Sequence, residues 1–327
     1  MYPTLEKVKE IAASGQYRRV PVCKELYADR YTPVEVMRVL RKASKHCYLL
    51  ESASQTEVWG KIFFSRVMSR AMEITCTDGL LNIRKTGEDA VVTKKVEHPG
   101  DTLREIIQEY KTPVMEEFPP FTGGLVGYFS YDYIKYSEQK LKLEDKEQQD
   151  FRDMDLMLFD QVIAFDHYRQ KVLLIAGVMT DDLEASYQKA EGKLEEMAQL
   201  LKTGPHMEFE KLKLESDIRP QFPEAEYCKM VEKAKHYICE GDIFQVVLSN
   251  PMRAKATGNL FDTYRVLRAT NPSPYMFYFS SDDIEIAGAS PETLVKLEAG
   301  NLSTFPLAGT RPRGKTRKKT GNWKPDF

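Results

Sequence analysis

Tyr275-Met-Phe-Tyr-Phe-Ser-Ser-Asp-Asp-Ile-Glu-Ile-Ala287 is the stretch whose reading decides the fold class. An aromatic run, a polar break at 280–283 and a second apolar run describe two strands joined by a tight turn. Further β-type runs follow at 294–297 and 302–305, with no helical period between them. Strands linked this closely pair antiparallel, because a parallel neighbour needs a crossover of a dozen or more residues. An α+β fold of antiparallel sheets packed with helices is therefore expected, not a parallel doubly wound sheet.

The same logic extends upstream. Tyr227, Met230, Val231, Ala234 and Ile238 recur at helical spacing, Gly241 stops that helix, and 243–249 is expected to be a strand. Leu183, Tyr187, Ala190, Leu194, Met197 and Leu201 step by fours and threes, which places one apolar stripe on a long helix. The runs 162–165 and 172–178 form a second hairpin. A third lies at 72–76 and 79–83, with Asp78-Gly79 as its turn. Before it come helices through Leu5, Val8 and Ile11 and over 33–44, then a strand at 47–50. The charged segment 140–153 is expected to be an exposed connection. Gly204-Pro205 and Pro220 mark a crossing, so the domains are expected to be 1–203 and 204–316, with a basic tail at 317–327.

Composition narrows the function classes. With 47 basic against 49 acidic residues and a net charge of -2, the chain lacks the cationic excess of a nucleic-acid binder. Its 5 cysteines show no Cys-x-x-Cys pair, which fits reduced thiols and a cytoplasmic location. No apolar run reaches the roughly 18 residues of a membrane span. The five histidines, His46, His98, His167, His206 and His236, have no evident catalytic partners, and Glu116-Glu117 fits a solvated acidic pair.

Several segments carry chemistry-bearing residues. Ala308-Gly309-Thr310-Arg311-Pro312-Arg313-Gly314 follows a strand with a glycine turn, a hydroxyl and two guanidinium groups, a set able to hold a carboxylate or phosphate. Asn271-Pro-Ser-Pro-Tyr-Met-Phe277 fixes a bend before an aromatic strand. Leu49-Leu-Glu-Ser52 ends a buried strand with a carboxylate and a hydroxyl, suited to an amino-acid ammonium group. The glycines of Phe121-Thr-Gly-Gly-Leu-Val-Gly-Tyr-Phe129 do not match a dinucleotide fingerprint, and close strand packing explains them.

In order along the chain, these motifs resemble the anthranilate synthase component I family, as do Gly241-Asp-Ile-Phe-Gln-Val-Val-Leu-Ser249 and Ala289-Ser-Pro-Glu-Thr293. The resemblance implies a chorismate-binding-enzyme fold with its C-terminal part missing. It implies conversion of chorismate and ammonia to anthranilate and pyruvate in tryptophan biosynthesis. Mg²⁺ would be the cofactor, and a glutamine amidotransferase subunit, anthranilate synthase component II, would supply ammonia. Gly309 and Thr310 would hold a chorismate carboxylate. Ser52, Pro274, Tyr275 and Met276 would contact L-tryptophan as feedback inhibitor. Ala308 stands where aminodeoxychorismate synthases carry a lysine, which favours free ammonia as nucleophile. Catalytic side chains and magnesium ligands are expected beyond the C-terminus, so this chain is expected to be inactive. The alternatives are aminodeoxychorismate or another chorismate-using synthase, and a tryptophan-binding regulatory module.

Two stretches depart from the family pattern. One set of codons for Ile62 to Val67, read one base later, spells Tyr-Ser-Phe-Leu-Gly, the family's run. Codons for Arg317 to Phe327, read one base earlier, spell Pro-Glu-Glu-Asp-Gly-Glu-Leu-Glu-Ala-Gly-Leu, an acidic helix of the expected kind. Local frameshifts are the hypothesis for both. Genomic sequence without a change of frame would dispose of it.

Overall fold

A computed structural model describes residues 1–52, 72–88, 90–138, 140–141 and 151–307, together with the backbone of 61–66. The remainder of the segment 53–71, most of 140–150 and the tail from 308 lie outside the described residues. Two compact units emerge, and they are not consecutive in the chain. Unit 1 comprises Met1–Leu212 and Gly258–Ser290, and unit 2 comprises Lys213–Thr257 and the described residues from Pro291. A single division after residue 203 does not coincide with this packing, because 258–290 returns to the first unit.

Unit 1 begins with helix α1 (Leu5–Ala12), strand β1 (Arg19–Tyr27), helix α2 (Pro33–Ala43) and strands β2 (Cys47–Glu51) and β3 (Lys61–Arg66). Thr4 and Thr32 cap the two helices by accepting from the amides of Lys7 and Glu35. Strands β4 (Met72–Thr77), β5 (Leu80–Lys85) and β6 (Val91–Lys95) precede helix α3 (Pro99–Glu109) and strand β7 (Gly124–Phe129). Asp78 and Gly79 both take positive φ, 49° and 74°, the conformation a two-residue hairpin turn requires. Strands β8 (Met154–Phe159), β9 (Gln161–Asp166) and β10 (Lys171–Met179) lead into helix α4 (Leu183–Thr203). Its stripe buries Ala190, Leu194, Met197 and Leu201, as the spacing demands.

The chain then passes through unit 2, with two-residue strands β11 (Lys213–Leu214) and β12 (Arg219–Pro220), helix α5 (Glu224–Glu240), and strands β13 (Met252–Arg253) and β14 (Ala256–Thr257). Gly241 ends α5 in the left-handed conformation at φ 81°. Back in unit 1 come helix α6 (Phe261–Thr270) and the hairpin β15 (Tyr275–Ser280) and β16 (Glu285–Ser290). Unit 2 resumes with the hairpin β17 (Thr293–Glu298) and β18 (Asn301–Phe305). The expected strand at 243–249 is corrected here: those residues form no ladder. Their sequence has strand character, but no described strand lies alongside to accept their hydrogen bonds, and a strand exists only as part of a pair.

In unit 1 a seven-stranded sheet runs β1-β10-β9-β3-β2-β15-β16 and a five-stranded sheet runs β6-β5-β4-β8-β7. Their strand pairs are antiparallel throughout. Alternation sorts the side chains into layers. Cys47, Leu49, Ile163 and Leu174 face the helices and pack with Met37, Leu194 and Tyr264. Tyr48 and Phe279 face the other sheet and meet Met157 and Phe159 of β8. On the far side of β8, Leu156 and Leu158 pack with Leu103 and Ile106 of α3. One residue, Asp160, separates β8 from β9 and carries the chain from one sheet to the other. Buried Arg19 anchors that crossing, its Nη2 donating to the carbonyls of Asp160 at 2.9 Å and Thr122 at 3.1 Å. Gly177 makes room for it, since a Cβ there would lie 1.9 Å from Arg19 Nε.

Candidate functional site

Between the two sheets of unit 1, beside the tight Tyr48–Phe159 packing, lies a cavity of about 360 Å³. That falls in the lower part of the roughly 300–1,000 Å³ range of small-molecule sites. Tyr48 and Leu50 of β2 form one wall, Tyr275, Phe277 and Phe279 of β15 a second, and Val126 and Tyr128 of β7 a third. The register explains the assembly. Met276 pairs with Glu51, Phe277 with Leu50 and Tyr278 with Leu49, so the end of Leu49-Leu-Glu-Ser52 lies beside the start of the Pro274-Tyr-Met-Phe277 strand.

Glycine shapes two walls. Phe277 lies across Gly288 of β16, where a Cβ would come within 2.2 Å of the ring. At Gly127 a Cβ would sit 1.9 Å from the Asp155 carbonyl oxygen, so only glycine lets β7 approach β8 this closely. The sequence reading of these glycines as packing devices matches the geometry. It did not extend to Val126 and Tyr128 between and beside them, which reach the cavity.

The residues expected to meet an inhibitor are placed as follows. Ser52 is half-buried directly after β2, and Pro274 is exposed directly before β15. Tyr275 is 41% exposed at the cavity mouth. Met276 borders the cavity, but it alternates with Tyr275 and Phe277, and its side chain belongs to the helix-side core. The bend itself is fastened by buried Ser273, whose hydroxyl donates to the Ser290 carbonyl at the end of β16. Two-residue alternation in Tyr48, Leu50, Ser52 and in Tyr275, Phe277, Phe279 is the signal that could have identified the missing wall residues. Gly309 and Thr310, and Ala308 before them, lie outside the described residues.

Charged groups hold the walls, and Glu51 is itself among the residues lining the cavity. The Glu51 side chain points to the helix face, where it accepts from the buried Tyr264 hydroxyl and from Arg268 at 2.5 Å. Burial and the Glu51 carboxylate raise the Tyr264 phenol well above its ordinary range. Glu285 of β16 joins Arg41 at 2.8 Å, the Tyr278 hydroxyl at 2.9 Å and the Leu260 amide at 2.8 Å. Behind Tyr128, its register partner Asp155 is fully buried, and burial pushes its carboxyl up to about 6 despite Arg152 at 2.7 Å. Burial and then Asp155 raise the Tyr128 phenol in turn.

Among the described residues, one group could hold a cation: His46, Glu73 and Asp282, whose ligand atoms lie within 4.8 Å of one another. His46 Nε2 is 3.3 Å from Asp282. The group does not fit Mg²⁺. That ion takes an octahedron of oxygens at about 2.0–2.1 Å. Here one donor is an imidazole, and Glu73 already faces Arg84 at 3.7 Å. No chemistry is derived through it. No helix among the described residues is long and apolar enough to cross a membrane.

Comparison with known proteins bears on this geometry. Residues 45–323 match the family described as chorismate binding enzyme. Anthranilate synthase component 1 of Aquifex aeolicus (strain VF5) is 34% identical over 327 residues, covering 97% of this chain and 64% of the relative. Aminodeoxychorismate synthase component 1 of Bacillus subtilis (strain 168) is 33% identical over 310 residues, covering 92% of this chain and 62% of the relative. The crystal structure of anthranilate synthase component I from Streptococcus pneumoniae TIGR4 superposes with a TM-score of 0.59 at 31% identity, over 78% of this chain and 52% of that one. The chain thus spans less than two thirds of the length of these relatives.

Proposed function

The chain belongs to the chorismate-binding enzyme family, and from that premise we propose that it is the tryptophan-sensing part of an anthranilate synthase large subunit. The observation that carries this reading is the aromatic cavity between β2, β7 and β15, bordered by Tyr275 and Met276, with Ser52 directly after the β2 wall. Its apolar walls suit an indole ring, and the polar ends of the Ser52 and Pro274 segments suit the ammonium and carboxylate of an amino acid. In the complete system chorismate and ammonia would give anthranilate and pyruvate, with Gly309 and Thr310 on a substrate carboxylate. An amidotransferase of the component II type would deliver ammonia, and Mg²⁺ would be required. Over a third of the relatives' length has no counterpart in these residues. Catalysis is assigned to the assembled protein, not to these residues alone.

Thermal unfolding of the chain with and without L-tryptophan tests the binding claim. A ligand at 100 times its Kd raises stability by about 2.7 kcal/mol. Gly288→Val, which forces the Phe277 ring toward the cavity, should abolish that shift. No stabilisation of the unsubstituted chain by L-tryptophan refutes the reading. Anthranilate fluorescence from the chain with chorismate, ammonia and Mg²⁺ should be absent, and turnover would overturn the assignment of catalysis. The similarity to an aminodeoxychorismate synthase keeps a second reading open. The product formed by an assembled enzyme decides it, anthranilate or aminodeoxychorismate.

A further inference from the structure

At one end of the unit 1 sandwich, just before Tyr48, three side chains from distant parts of the chain converge. His46 directly precedes β2, Glu73 lies on β4, and Asp282 sits in the turn between β15 and β16. The register brings them together. Cys47 pairs with Ser280, so His46 continues that ladder toward the β15–β16 turn. By alternation His46 shares the face of Tyr48, which meets Met157 of the other sheet, and Met157 is the register partner of Glu73. His46 and Glu73 are buried, and their ligand atoms lie with that of Asp282 within 4.8 Å of one another.

An imidazole with two carboxylates is a poor magnesium site but suits zinc, with water in the fourth position. Bonds of about 2.0–2.2 Å put neighbouring ligand atoms of a tetrahedron about 3.3–3.6 Å apart. His46 Nε2 and Asp282 Oδ2 already stand 3.3 Å apart. Glu73 reaches the third corner by a side-chain rotation, because Arg84, 3.7 Å from its Oε2, is half-exposed and can turn to solvent. Asp155 of β8 is a second, independent pointer. Its side chain is fully buried on the same face as Glu73, one diagonal step away, and interacts with it electrostatically. Arg152 takes Asp155 Oδ2, whereas Oδ1 has no hydrogen-bond partner among the described residues. A buried carboxylate oxygen without a donor is costly, and a metal-bound water would provide one.

We propose that His46, Glu73 and Asp282 form a Zn²⁺ site that staples the two sheets of unit 1 to the β15–β16 turn, with Asp155 as acceptor for the water on the metal. Half-exposed Asp282 gives the ion its path in from solvent. Binding to the folded state alone stabilises it. None of the three ligands lines the aromatic cavity, and the inference is independent of the tryptophan reading.

Titration calorimetry of the full 327-residue chain with Zn²⁺, after chelator treatment, should show a saturable site at one ion per chain. Zn²⁺ should raise the melting temperature, and EDTA should reverse the rise. Co²⁺ in its place should give visible d–d bands without thiolate charge transfer, since the ligands are nitrogen and oxygen. His46→Gln, Glu73→Gln and Asp282→Asn should each weaken binding about tenfold or more. Asp282→Asn, at a half-exposed position, should leave the metal-free melting temperature unchanged, and it decides the matter if the buried substitutions unfold the chain. Cys228→Ser with Cys239→Ser, which removes the exposed thiols of α5, should leave binding intact. The proposal is overturned if no saturable binding is seen, if Asp282→Asn binds Zn²⁺ as tightly as the unsubstituted chain, or if the serine substitutions abolish binding. L-tryptophan stabilisation is read without added metal, so the two readings fail independently.

Discussion

Unit 1 and unit 2 are built from the same kinds of residue and differ in what those residues touch. In unit 1, Tyr48, Phe159, Ile74 and Leu174 are at most 2% exposed, because every sheet face has a second sheet or a helix over it. In unit 2, Phe244, Leu294 and Leu302 are at least 70% exposed, although each is as apolar as its counterpart in the first unit. Hydrophobicity alone therefore does not make a core. The layer that covers it must be present too. The contrast also explains why an aromatic-lined cavity appears in unit 1, where three strands from distant parts of the chain hold its walls apart.

Substitutions can break or sharpen this contrast. The largest effect is expected from Gly127→Val, which drives a Cβ into the β8 backbone. It should cost about 4 kcal/mol or more, at the extreme of single substitutions, and denaturant unfolding with circular dichroism measures it. Phe159→Ala removes a ring packed 4.7 Å from Tyr48, centroid to centroid, and should cost about 3–5 kcal/mol in the same measurement. Values below about 1 kcal/mol for both would mean that unit 1 is no better packed than unit 2.

Asp155→Asn comes next and has a pH signature. The folded carboxyl titrates near 6 against 3.8 for an unperturbed aspartate, so the folded state holds this proton more tightly. Stability from this group is greatest at low pH and is lost as pH rises from about 4 through about 6. Asparagine should restore on the order of 1–3 kcal/mol at pH 7.5 and flatten the dependence, as melting temperatures from pH 5 to 8 would show. The smallest effect belongs to Leu294→Ser in unit 2, which should change stability by no more than about 0.5 kcal/mol. A loss as large as that of Phe159→Ala would show that the hairpin is already covered in solution.

The legibility of the fold follows the same physical line. The stripe through Leu194 and Met197, the Asp78-Gly79 turn and the left-handed stop at Gly241 were all evident in sequence, because each is decided within a few neighbouring residues. The pairing of β15 with β2 was not, since Met276 and Glu51 are brought together only by the whole of unit 1. Nor was the switch of sheets at Asp160, where two continuous apolar runs look alike and belong to different layers. The family motifs pointed to Ser52, Tyr275 and Met276, but they do not say that the Met276 side chain turns to the other face.

By itself the sequence determined the element types, the antiparallel class and the family, because periodicity, turn chemistry and ordered motifs are carried by short stretches. Only the tertiary structure decided which strands became neighbours and which apolar residues found cover. It also decided that 243–249, a strand by composition, remains unpaired. A ladder needs a second strand, and no local pattern supplies one.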